Sequence, residues 1–160
     1  MATLITTQQF LDSGLPISDD IRTAEIEFAI KTVEKVYLKP FIGEELYKQL
    51  IDSPATHTSL LNETSYTNGI RYSEYEMVFA WLLYDRMRLT RYTSVIKDDE
   101  HSDEPSTDDI MNLCSMHWEN ALQNIIDTLL ENGIEPESAV CPQPPFAELA
   151  FAYYNKPKHN

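Results

Sequence analysis

Cys114 and His117 stand three residues apart, a spacing that puts a thiol and an imidazole on one face of a helix. Such a pair can begin a zinc site, but structural zinc takes four ligands. No C-x-x-C and no H-x-x-x-H completes the set. The two then read as a small buried side chain beside a packed histidine. His57 and His101 fall in polar stretches with no adjacent nucleophile, so a Ser-His-Asp arrangement has no support. Glycine occurs singly, as Gly14, Gly43, Gly69 and Gly133, which excludes a Gly-rich phosphate loop. The acid pairs Glu44-Glu45 and Asp108-Asp109 lie at helix starts, where the helix dipole favours anions. The chain is therefore expected to have no catalytic cluster, no metal and no cofactor.

Charge is more informative. The 160 residues carry 12 Lys and Arg against 26 Asp and Glu, a formal charge of −14. The excess is unevenly placed: residues 98–155 contain no Lys or Arg, and only Lys156 and Lys158 follow. Such a surface has little positive charge with which to displace counterions, so no sequence-specific nucleic-acid binding is expected. It would also repel anionic membranes. The longest apolar run, Met77–Tyr84, is far shorter than the roughly 20 residues of a membrane span. Residues 1–11 have no basic region ahead of an apolar stretch, and two cysteines make no disulfide framework, so a cytoplasmic setting is expected.

The elements that would position any site are helical almost throughout, and the fold class expected is all-α: a compact bundle of about four to five helices. Residues 1–133 form the bundle domain and residues 134–160 an extended C-terminal tail. Thr6–Leu11 gives one short turn, stopped by Gly14 and Pro16. Ser18 reads as the N-cap of a first long helix, with Asp19 and Asp20 in its first turn. Ile26, Ala29, Ile30, Val33, Val36 and Tyr37 give that helix an apolar face. Pro40 disfavours helix at Lys39 and Gly43 supplies a break. A shorter helix opens at Glu44-Glu45 with Leu46, Tyr47 and Leu50 on one side, and Ser59-Leu60-Leu61 hides another turn.

Ser73-Glu74-Tyr75-Glu76 fits a capping box, opening a helix over 73–96. Its run Met77–Tyr84 is apolar on every side, so this helix belongs at the centre of the bundle with Trp81 in the core. Arg86, Arg88 and Arg91 suit its C-terminal half. The last long helix begins at Ser106 or Thr107 and closes at Asn132-Gly133. Ile110, Leu113, Cys114, His117, Ala121, Ile125 and Leu129 form its inner stripe, widened by Trp118, Leu122, Ile126 and Leu130. Antiparallel packing of the two long helices brings the arginines near Asp108 and Asp109.

Two segments are candidates for contact with partners. Asp98, Asp99, Glu100, Asp103 and Glu104 make an acidic loop between the long helices. The tail carries Pro136, Pro142, Pro144, Pro145 and Pro157, which deny it a long helix. Its Phe146, Leu149, Phe151, Tyr153 and Tyr154 are too apolar for a solvated tail: they dock either on the chain's own bundle or, as expected here, at contacts between subunits.

The segment Tyr37-Leu38-Lys39-Pro40-Phe41-Ile42-Gly43-Glu44-Glu45-Leu46-Tyr47-Lys48-Gln49-Leu50 resembles the pattern Y-L-x-P-x-[IL]-G-x-x-[LF]-Y-x-x-L. That pattern recurs in small helical head–tail connector (adaptor, head-completion) proteins of tailed phages, with prophages of gut Bacteroidetes especially similar. The helical plan of residues 18–132 is similar too. The resemblance implies a non-enzymatic structural subunit, assembled with copies of itself into a ring between portal and tail proteins. Packaged DNA would pass through the ring, and the subunit would move from the host cytoplasm into the virion. A lumen lined by the 98–104 acids would let DNA slide rather than bind, whereas by composition alone these residues read as a solvated outward loop. The competing reading is an acidic DNA mimic or another protein-binding regulator, supported by the charge of residues 98–155 alone.

Overall fold

The computed structural model describes residues 2–88 and 107–136. Among these, every regular element is helical: α1 (Thr7–Leu11), α2 (Thr23–Val33), α3 (Lys39–Ile42), α4 (Glu44–Asp52), α5 (Thr58–Leu61), α6 (Gly69–Arg88) and α7 (Thr107–Glu131). A π turn, Glu34–Leu38, joins α2 to α3, and a 3-10 turn, Pro54–Thr56, precedes α5. The all-α class read from the sequence is therefore the observed one.

Helix α6 is central, packing against α7, α2 and α5. Met77, Val78, Phe79, Ala80, Leu82 and Leu83 are all buried, because neighbours surround the helix. Trp81 departs from the expectation: it is only partly buried, at the rim, with its ring 5.9 Å from that of Phe28. Trp81→Ala should accordingly cost about 1–2 kcal/mol, the loss of part of an aromatic's burial, rather than a full core deletion. Urea denaturation of the variant reads this directly, and a loss above about 3 kcal/mol would put Trp81 in the core after all.

The helix also starts earlier than its capping-box pattern suggests. Ser73 lies one turn inside, its hydroxyl bonding back to the Gly69 carbonyl at 3.1 Å. The start is capped from a distance instead. Asn124 of α7 accepts from the Asn68 N–H at 3.1 Å and donates to the Gly69 carbonyl at 3.0 Å. Gly69 has φ +81°, and a Cβ there would stand 2.5 Å from the Asn62 carbonyl oxygen, so only glycine fits. The expected end of this helix at 96, and the arginine cluster with its proximity to Asp108 and Asp109, lie outside the described residues and side chains.

Helix α7 runs antiparallel to α6, with Asn124 beside Gly69 and His117 beside Glu76 and Phe79. Its expected stripe is inward, with Cys114, Trp118, Ala121, Ile125 and Leu129 buried. Leu130 is a correction: it is 55% exposed, a quarter-turn beyond the buried Leu129. The helix ends as the sequence suggests. The N–H of Gly133 bonds to the Leu130 carbonyl at 3.0 Å, and that of Ile134 to the Leu129 carbonyl at 2.9 Å, a Schellman cap. Ile134 then packs on the core.

Helix α2 corrects two expectations. It begins at Thr23 with Arg22 as the capping position, so Ser18 is no N-cap; the Ser18 hydroxyl accepts from the Asp20 N–H in a local turn. Nor does Pro40 break the helix before it. Helical backbone continues through Lys39, whose N–H reaches the Glu34 carbonyl five residues back. That wider turn helps absorb a proline that cannot donate and that crowds the preceding turn. The extra residue shifts the buried face from Val33 to Leu38, and Val36 turns to solvent at 52% exposure. Gly43, at φ +94°, then reverses the chain into α4.

The N-terminal segment joins the core as well. Thr6 caps α1 reciprocally with Gln9, and Leu4, Ile5 and Phe10 are buried.

Candidate functional site

Residues Tyr37–Leu50 form a single corner. The π turn, α3, Gly43 and α4 bring Tyr47 back against Glu34, thirteen positions earlier, and its hydroxyl donates to Glu34 Oε2. Glu34 lies in the π turn and is fully buried, as is Glu74 of α6. The second Glu34 oxygen accepts from the backbone N–H of Leu4 at 2.7 Å. Arg71 of α6 completes the clasp: its Nε donates to the Leu4 carbonyl at 3.2 Å and its Nη1 to Asn62 Oδ1 at 3.0 Å. One buried node therefore ties together the N-terminal segment, the π turn, α4 and α6.

Glu74 makes the node unusual. Treated as an anion, neither of its buried oxygens finds a donor. A proton on Glu74 removes the buried charge and gives one of the two oxygens a partner, since the carboxyl can then hydrogen-bond to Glu34. Burial first, then the Glu34 hydrogen bond and charge, hold the Glu74 carboxyl well above the usual carboxylate range, with Arg71 opposing. Tyr47 is pushed up too, chiefly by burial and then by its bond to Glu34. Both stay protonated donors around one acceptor, Glu34. The arrangement can hold a proton and pin a chain segment.

At the outer side of the corner, Ile42, Gly43, Leu46 and Gln49 with Ile134 line a groove of about 630 Å³. Glu44, Glu45 and Glu135 give it an acidic rim. Lys39 pairs with Glu44 at 3.2 Å and lies 5.7 Å from the Tyr47 ring centre.

Cys114 and His117 share the inner face of α7. Cys114 is fully buried, and burial pushes its thiol up to about 12. His117 Nδ1 faces Glu76 Oε1 at 3.2 Å, and its ring meets that of Phe79 edge-on at 4.9 Å. Among the described residues no three His, Cys, Asp or Glu side chains cluster as a metal site would require. Glu44, Glu45, Asp108 and Asp109 occupy the first turns of α4 and α7. The acidic loop, Asp98, Asp99, Glu100, Asp103 and Glu104, and the tail residues Phe146, Leu149, Phe151, Tyr153 and Tyr154 lie outside the described residues. No described helix is long and apolar enough to cross a membrane.

Sequence reasoning missed the node, although a signal was there. Glu34 falls four residues from Ile30 and from Leu38, and Glu74 four from Ile70 and from Val78, all buried. Acids in phase with an apolar stripe point to the core.

Compared with known proteins, the chain matches no family model, no curated protein and no solved structure.

Proposed function

We propose that this chain is a non-enzymatic head–tail connector subunit of a tailed phage, acting in a ring between portal and tail. The observation that carries the reading is the corner Tyr37–Leu50, whose proline, glycine and second tyrosine each have a structural task. Pro40 sits in the first turn of α3, Gly43 turns the chain, and Tyr47 locks the corner to Glu34. A rigid corner with an acidic groove suits a subunit that must present the same surface to identical neighbours. The net charge of −14 suits a channel wall along which DNA passes without binding. In this reading the 98–104 acids face the lumen and the aromatic tail, 142–155, reaches a neighbouring subunit.

Genetic removal and complementation test it. Without the chain, the source cell should accumulate heads and tails that fail to join, and the full-length chain should restore joined particles. Normal infectious particles in its absence would contradict the proposal. Complementation with the chain truncated after residue 141 tests the tail separately. Joining should fail while the purified truncation melts near the full-length temperature. Early melting with normal joining would assign the tail to its own core.

A further inference from the structure

We propose that Glu74 is buried carrying a proton that it donates to Glu34, and that losing this proton releases the N-terminal segment, Ala2–Leu11, from the bundle. Two carboxyls with no exposed surface cannot both ionise side by side without a large electrostatic penalty. With the proton on Glu74 only one charge is buried, and Glu34 accepts from the Leu4 N–H, from the Tyr47 hydroxyl and from Glu74. Without it, the orphaned Glu74 oxygens become a second buried anion facing the first.

The groups around the pair leave one weak point. Tyr47 approaches from α4 and Tyr75 from α6, and burial holds both phenols above their ordinary range. Asp12, just past α1, adds negative charge on the Tyr75 side. Arg71 is the positive charge that opposes the shift, but its guanidinium already serves Leu4 and Asn62. Helix α6 is held by Met77, Val78, Phe79, Ala80, Leu82 and Leu83, and the π turn and α4 by Leu38, Tyr47 and Leu50. The N-terminal segment is held by Leu4, Ile5 and Phe10, by the Glu34 bond and by Arg71. Gly14 and Pro16 follow it in a linker where the chain can hinge. When the pair repels, that short segment is the piece that yields, admitting water to both carboxylates.

The pH sense is fixed. Glu74 favours its protonated form more strongly in the fold than in the unfolded chain. The clamp is therefore fully closed below the ordinary carboxylate range, and is lost as pH rises through the raised Glu74 value.

Hydrogen exchange by NMR on the full chain, corrected for intrinsic base catalysis, tests this as pH is raised from the ordinary carboxylate range. The Leu4 and Ile5 amides should lose protection at least about tenfold while Ile125 and Leu129 in α7 keep theirs. The infrared C=O band of a protonated carboxyl should disappear with the same midpoint. Glu74→Gln, which keeps a donor toward Glu34 and cannot ionise, should abolish both changes. If that variant does not fold, coincidence of the two wild-type midpoints decides. Constant Leu4 protection, loss shared with Ile125, or an unchanged transition in Glu74→Gln would overturn the proposal.

Discussion

Replacing Glu34 with alanine should destabilise the fold by about 3–5 kcal/mol, from the buried donors it leaves without an acceptor and the space it vacates. The size follows from what remains. The Leu4 N–H and the Tyr47 hydroxyl both lose their acceptor, and Glu74 loses the group that takes its proton. Each buried donor left unmatched costs about 1–3 kcal/mol. The cavity left in place of a fully buried side chain adds to this. Tyr47→Phe should cost less, about 1–2 kcal/mol, since it removes one donor and leaves Glu34 bonded to Leu4. Denaturant titrations of both variants measure the order. A Glu34→Ala loss below about 1 kcal/mol would mean that the node is incidental to the fold.

Trp118→Ala should cost a comparable amount, about 3–5 kcal/mol, for a different reason. Trp118 is 1% exposed, the largest of the fully buried side chains, and Tyr37 meets it edge-on with ring centres 4.9 Å apart. Its removal opens a void where α7 faces the corner. Against a total stability of about 5–15 kcal/mol, such a loss should lower the melting temperature by many degrees. The contrast with Trp81→Ala is the informative comparison. Equal costs for the two tryptophans would contradict the placement of Trp81 at the rim and Trp118 in the core.

The two tryptophans also mark how far the sequence could be read. Local pattern was enough for α7, where the stripe from Cys114 to Leu129 and the Asn132-Gly133 stop both stand as expected. It was enough to make α6 central, because an eight-residue apolar run has no solvent face. It was not enough to say which side of that run meets the weakest neighbour, and there Trp81 lies. The start of α6 was misplaced because its cap is Asn124, more than fifty residues away. The π turn was invisible for a related reason. Proline at 40 argues for a stop, and only packing of Leu38, Phe41 and Ile42 on both sides of it keeps the helix running. Phase with the apolar stripe was the one local mark of Glu34 and Glu74, and it does not show the partners from distant segments without which a charge does not go inside. Leu4, Ile5 and Phe10 belong to a segment too short to show a period. The candidate corner was legible as a motif, and the node that explains Tyr47 was not.

The connector reading is tested most directly by locating the chain on assembled particles. Antibody against the full-length protein, detected with gold in the electron microscope, should label tailed particles from the source cell at one place only, the junction of head and tail. Label spread over the head, confined to the tail fibre end, or absent from particles altogether would contradict the account.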